Sequence, residues 1–253
     1  MADTLLRHEE NRGVHRLVMD HGPNALDRPL MGALRETLGD LANDGAPAVI
    51  LASAHPRLFC PGWDLKLLAD AQRDDVAEFL GAFNALILDF FSYPGPTAAA
   101  IGGHSVAGGC LLALTCDLRV MATGQPRQGL SELNLGVPVP GNSLRMLRAR
   151  LSSPALDELV FRGEGCTAER ARDLGIVHRT ASPNDLLAAT DLELAKLAGR
   201  PRRAFVETKK LVLGEVWAAM GTTRPEEDAA FLNCWYEEDT QERISSTASR
   251  LAN

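Results

Sequence analysis

An α/β fold with covered sheets is what the pattern of this chain predicts, and three observations predict it. Short apolar runs of strand length alternate with amphipathic helical segments through the first half. Two of those runs pass straight into Gly-containing turns followed by helices. From Pro140 onward the pattern is mostly helical.

The elements follow in order. Val14 to Met19 reads as a short strand. Asp27 opens a helix through Leu41, because Leu30, Leu34, Leu38 and Leu41 recur at helical spacing, and Gly45 ends it. Pro47 to Ala52 (PAVILA) is an unbroken apolar run, as in a strand covered on both faces. Asp74 to Phe91 is a long amphipathic helix, stopped by Tyr93-Pro94-Gly95-Pro96. Thr97 to Ile101 is the next buried strand, followed by a glycine-rich turn, a short apolar helix from Gly108 to Thr115, and a strand at Leu118 to Met121. Helices are then expected at Ser143 to Leu151, Pro154 to Phe161, Ala168 to Leu174, Asp185 to Leu197 and Arg203 to Val216, with one continuous helix from Pro225 to about Ser246. Thr167 and Ser182 are N-cap candidates. The expected division is an α/β core over residues 1–185 and a helical C-terminal region over 186–253, with a soft boundary because the linkers are short.

Composition excludes several classes of function. Hydrophobic residues make up 45 % and charged residues 23 %, as in an ordinary globular protein. No apolar run approaches the roughly 18 residues that a membrane helix needs. The charged start MADTLLRHEENR has no apolar signal region, and Asp3, Glu9 and Glu10 are unlike a transit peptide, so a cytoplasmic protein is the expectation. The five cysteines, Cys60, Cys110, Cys116, Cys166 and Cys234, are odd in number with no CxxC pair. That spacing argues against a disulfide framework and against a metal site. A net charge of −7 argues against nucleic-acid binding, so an anionic ligand would have to be held locally.

Three segments carry chemistry. Arg57-Leu58-Phe59-Cys60-Pro61-Gly62-Trp63-Asp64-Leu65 follows the PAVILA strand, and Ile101-Gly102-Gly103-His104-Ser105-Val106-Ala107-Gly108-Gly109-Cys110 follows the next one. A strand, a glycine turn and a helix start present free N–H groups to a negative atom, and two such turns face to face would make an oxyanion hole. Taken singly, each is first of all a tight structural turn. The third segment, Gly129-Leu130-Ser131-Glu132-Leu133-Asn134-Leu135-Gly136, holds one carboxylate in nearly neutral surroundings, where a general base with a raised pKa could sit. By itself Glu132 would be a surface or capping residue.

Order and spacing change those odds. NALD near the start, FCPGWDL after a strand, AGGCLLALTCDLRV, SELNLGVPVP, then CTAERARDLGIV and a helical tail together resemble the enoyl-CoA hydratase/isomerase (crotonase) superfamily over almost the whole chain. The resemblance implies a spiral of ββα units with a helical C-terminal trimerisation portion, an acyl-CoA thioester as substrate with no tightly bound cofactor, and a homotrimer or dimer of trimers, with no nucleic-acid or membrane partner. It assigns thioester polarisation to the backbone N–H groups of Trp63 and Gly108, and acid/base work to Glu132. It also places Arg57, Phe59, Gly62, Asp64, Leu65, Lys66, Gly109 and Leu111 around the substrate and its CoA.

This chain departs from the family in two places. The first glycine of the family's triplet is Ala107, and the position of the hydratases' other glutamate is Leu111. Adding water calls for one group to place the water and another to handle the α-proton, whereas moving a double bond needs a single base. The expectation is therefore a Δ3,Δ2-enoyl-CoA isomerase. Open alternatives are a hydratase-like lyase, a decarboxylase or thioesterase on an acyl-CoA, and a catalytically silent acyl-CoA-binding member. Plainer readings also stand. The Trp63 indole narrows the acyl pocket, stacks on an aromatic acyl group or only packs, Asp64 caps a helix, and Arg57 and Lys66 are solvated charges as readily as phosphate ligands. His104 packs, Lys209 and Lys210 are surface charges, and Arg250 is a weaker candidate for a CoA contact from a neighbouring subunit.

Overall fold

The computed structural model describes residues 5–222 and 224–252. The chain starts as an antiparallel hairpin of β1 (Leu6–Asn11) and β2 (Val14–Met19). Arg12 and Gly13 both have positive φ, 53° and 76°, the turn whose twist suits paired strands. No apolar pattern in the sequence announces β1, whose Arg7-His8-Glu9-Glu10 stretch is exposed on both faces at the sheet edge. Four further strands join β2 in parallel: β3 (Ala48–Ser53), β5 (Thr97–Ile101), β7 (Leu118–Ala122) and β9 (Arg179–Ala181). The order of this six-stranded sheet is β1-β2-β3-β5-β7-β9.

A second, three-stranded sheet holds β4 (Leu58–Cys60), β6 (His104–Val106) and β8 (Gln128–Gly129). The chain thus spirals. Each turn lays one strand in the large sheet, one in the small sheet, and then a helix: α2 (Leu65–Leu68) and α3 (Arg73–Ser92) after β4, α4 (Gly108–Thr115) after β6, α5 (Glu132–Leu135) after β8. Of these, α2, α4 and α5 each start within five residues of the end of a small-sheet strand, so the chemistry-bearing segments are stacked on one edge of that sheet.

Before the spiral, α1 (Arg28–Asn43) lays Leu30, Leu34, Leu38 and Leu41 into the core, and Asp27 caps it by accepting from Leu30 N–H. After the spiral come α6 (Gly141–Arg150), α7 (Ser153–Val160), α8 (Ala168–Asp173), α9 (Leu186–Ala198), α10 (Arg202–Met220), α11 (Pro225–Trp235) and α12 (Glu238–Ala252). Thr167 caps α8 as its sequence suggests, and the Ser182 side chain accepts from Asp185 N–H. Leu186 and Leu194 of α9 close a small core on the outer face of the large sheet against Ile50, Ala98, Ala100 and Val120. Among the described residues, no helix is long and apolar enough to cross a membrane.

Two sequence expectations are corrected. The single helix from Pro225 to about Ser246 is two helices, broken after Trp235. Gln241 Nε2 donates to the Trp235 carbonyl at 2.6 Å, and Tyr236 Oη donates to Ala71 O at 2.7 Å, so side-chain bonds hold the bend. Lys209 is a buried cation, not a surface charge. Its Nζ lies 2.7 Å from Asp117 Oδ2 and donates to Gly95 O, while Asp117 also meets Arg150 and both Thr97 donors. The alternation of polar and apolar residues along α10 could not show this, because the partner is 92 residues away.

Candidate active site

The first turn is held from behind. Asn24, fully buried at φ 58°, donates to Ser53 Oγ at 2.8 Å and to Phe59 O at 3.4 Å. Ser53 Oγ in turn donates to Leu58 O. Leu26, two residues on, brackets position 63: its N–H donates to Gly62 O at 2.7 Å, and its carbonyl accepts from Asp64 N–H at 2.9 Å. In a trans peptide the C=O and N–H point in opposite directions. With Gly62 O turned to Leu26, the N–H of Trp63 points the other way, and no group of the described chain accepts it. Gly62 makes this possible at φ 96°, where a side chain would be strained. Asp64 caps α2, accepting from Lys66 N–H at 3.0 Å.

The second turn fits against the first. A Cβ built on Gly62 would stand 3.1 Å from Gly108 N, and one on Gly108 would stand 3.1 Å from Cδ1 of Trp63. Gly109 allows the approach, since a Cβ there would fall 2.1 Å from Cys60 O. Ala107, where the family has glycine, is bent to φ 48° and ψ −125°. Its N–H donates to Gly129 O and its carbonyl accepts from Leu111 N–H, and the Gly108 N–H at the start of α4 has no acceptor among the described residues. Non-glycine residues in this region cost about 1–3 kcal/mol, and such strain gathers where function requires it.

Across from the turns stands Glu132, the first residue of α5, which ends at Gly136 in the left-handed conformation. Burial pushes its carboxyl up to about 7, although the N–H groups of Ser131 and Glu132 pull it partway down. Its Oε2 is buried without a hydrogen-bond partner. An unpartnered carboxylate oxygen is costly in a finished fold, and is what a general base needs before its substrate arrives. Trp63, Gly108 and Glu132 all line one cavity of about 920 Å³.

Among the other sequence candidates, Asp64, Leu65 and Lys66 line the cavity as well. Gly62 and Gly109 shape the turns without lining it, Phe59 and Leu111 are fully buried, and Arg57 is exposed outside it. His104 lies in β6, away from the cavity. Sequence reading missed Phe231 and Trp235 of α11 and Val137 and Pro140 before α6, all in the cavity wall. No spacing rule ties residues 231 and 235 to a turn at 63; only folding back of the tail brings them there. Arg250 lines the cavity of its own chain, joined by Arg243 and Thr247 from the same face of α12. Among the described residues, no group of three His, Cys, Asp or Glu side chains is placed to hold a metal ion.

Relatives of this chain are found among both hydratases and isomerases. Mitochondrial methylglutaconyl-CoA hydratase of Mus musculus is 32 % identical over 179 residues, which cover 70 % of this chain and 57 % of the relative. The chain thus spans little more than half the length of that relative. A probable enoyl-CoA hydratase of Mycobacterium leprae (strain TN) is 29 % identical over 259 residues, covering 99 % of this chain and 96 % of its own. Human mitochondrial delta3-delta2-enoyl-CoA isomerase superposes with a TM-score of 0.93 at 25 % identity, covering 98 % of each chain. The family model for enoyl-CoA hydratase/isomerase matches residues 9–248, a span that takes in both glycine turns, Glu132 and the folded-back tail, and the chain belongs to that family.

Proposed function

We propose that the protein is a Δ3,Δ2-enoyl-CoA isomerase with Glu132 as its single acid/base. The observation that carries this reading is the pairing of one buried, unpartnered carboxylate with two acceptor-free amides in one cavity. Trp63 N–H and Gly108 N–H donate to the thioester oxygen and stabilise the negative charge that grows there. Glu132 takes a proton from C2, the electrons pass into a dienolate, and the acid returns a proton to C4, so the double bond moves from C3–C4 to C2–C3. Neither water nor a tightly bound cofactor takes part. Asp64 and Glu242 also line the cavity, but Asp64 is engaged as a cap and Glu242 is exposed at the α12 side. At the family's second-glutamate position, Leu111 offers only hydrocarbon. Lys66, Arg243 and Arg250 at the cavity wall fit the phosphates of CoA, and we include a homotrimer or dimer of trimers in this reading.

The test is conversion of a 3-enoyl-CoA into its 2-enoyl isomer, followed by mass spectrometry and by absorbance of the conjugated thioester. Unchanged mass with gain of conjugation is expected, and Glu132→Gln should lower kcat by at least about 100-fold. A hydratase is the second reading, favoured by the names of the relatives above. It would use Glu132 alone to place and activate water, and would show itself as addition of one water to a 2-enoyl-CoA. If no 3-enoyl-CoA is converted to its 2-enoyl isomer, or if Glu132→Gln matches wild type, the isomerase reading fails.

A further inference from the structure

We infer that the Trp63 indole is a plug closing the acyl end of the cavity, so that the enzyme accepts short acyl thioesters and rejects long straight-chain ones; this rests on the acyl-CoA reading above. Four rings surround the indole. Its centroid lies 4.9 Å from Phe79 and 5.5 Å from Phe83, both on α3, and 5.5 Å from Phe231 and 5.7 Å from Trp235, both on α11. One side chain therefore fills the seam between those two helices. Phe83, Phe231 and Trp235 share the cavity wall with it, while Phe79 is buried behind and does not reach the cavity. The wall is two rings deep at that point.

The position of the plug follows from its backbone. An acyl group whose carbonyl oxygen is bound at the N–H of residue 63 begins its tail beside that residue's own side chain. The four surrounding rings hold the indole in place, and its Cδ1 comes so close to residue 108 that only glycine leaves room for it there. The far side of the seam is tied down too. Tyr236 Oη donates to Ala71 O at 2.7 Å, and Arg73 donates to Asn233 Oδ1 at 2.6 Å while its guanidinium lies over the Tyr236 ring. These contacts fix α11 to the start of α3. A growing methylene chain would have to part both the ring cluster and this tie.

Equilibrium binding of saturated thioesters tests the plug without requiring turnover. Dissociation constants for butyryl-, hexanoyl-, octanoyl- and decanoyl-CoA are measured by calorimetry on the full chain. Each methylene admitted to an apolar tunnel tightens binding by about fourfold. The wild-type series is expected to flatten or reverse by octanoyl-CoA. Trp63→Ala and, separately, Phe231→Ala should tighten decanoyl-CoA at least tenfold relative to wild type, with a smaller change for butyryl-CoA. A wild-type series that tightens steadily through decanoyl-CoA overturns the plug and leaves the acyl-CoA reading intact. Absence of binding by every thioester overturns that reading and the plug with it. A Trp63→Ala protein that folds yet binds decanoyl-CoA no more tightly than wild type also overturns the plug, and Phe231→Ala gives that reading should Trp63→Ala fail to fold.

Discussion

Glu132 makes the fold less stable at the pH where the proposed reaction needs it ionised. Its carboxyl rests near 7 in the fold against an ordinary 4.5, so the native state holds the proton more tightly than the unfolded chain does. The stabilising contribution is complete below pH 4.5 and is lost as pH rises towards 7, a loss of up to about 3 kcal/mol. Denaturant melts of Glu132→Gln should therefore show a variant more stable than wild type at pH 8, with the gap closing near pH 5. Activity runs the other way. Because the base must be ionised, kcat/KM should climb through about pH 7, and a flat profile from pH 6 to 9 would contradict Glu132 as the base. Gly109 has the opposite balance. Gly109→Ala would set a methyl group against Cys60 O and pry the two turns apart, destabilising by about 3 kcal/mol. It should also cut kcat about 100-fold, since misplacement of one donor by an ångström is enough. At this scale the sequence was most informative. Glu132 and both glycine turns stand out by residue type and order, whereas the way the left-handed Asn24 braces the first turn is visible only with its partners in place.

Among the elements, the tie between α10 and the large sheet carries a sharp expectation. Burial pushes the Asp117 carboxyl up, but Lys209, Arg150 and the Thr97 donors outweigh it and hold the group below its usual value. Lys209→Met would leave that carboxylate with Arg150 as its remaining cation. Loss of one partner from a buried pair costs about 3–5 kcal/mol, so a fall of roughly 10 °C in Tm is expected by calorimetry. Converting Asp117→Asn in the same chain should return part of it. Long elements were legible because their periodicity is long: α1, α3 and the apolar strands β3 and β5 lie where their patterns put them. The small sheet was not. Its strands have three, three and two residues, too few for alternation to register, and the segments read as turns. The break between α11 and α12 also left no mark, because it contains neither Pro nor Gly and is set by the side chains of Gln241 and Tyr236.

For the molecule as a whole, light scattering should give the mass of three or six chains, and a strictly monomeric protein would oppose the proposed assembly. A bound thioester at about 100 times its Kd should add about 2.7 kcal/mol to stability, readable as a rise in Tm that depends on ligand concentration. The spiral architecture was accessible through resemblance rather than through pattern, since each turn of it closes on contacts between residues tens of positions apart. The cavity was the least accessible. Its lining comes from residues between 23 and 140 and again from residues 231 to 251, and nothing local links the two stretches.

The bracket that Leu26 makes around position 63 separates two tasks at one residue. On the proposed reading, polarisation belongs to an amide whose aim is fixed by its neighbours, and admission of substrate belongs to the side chain hung on the same Cα. A library of substitutions at this one codon could thus retune which molecules enter while the electrophilic machinery stays in place, so new selectivity need not be bought with lost rate.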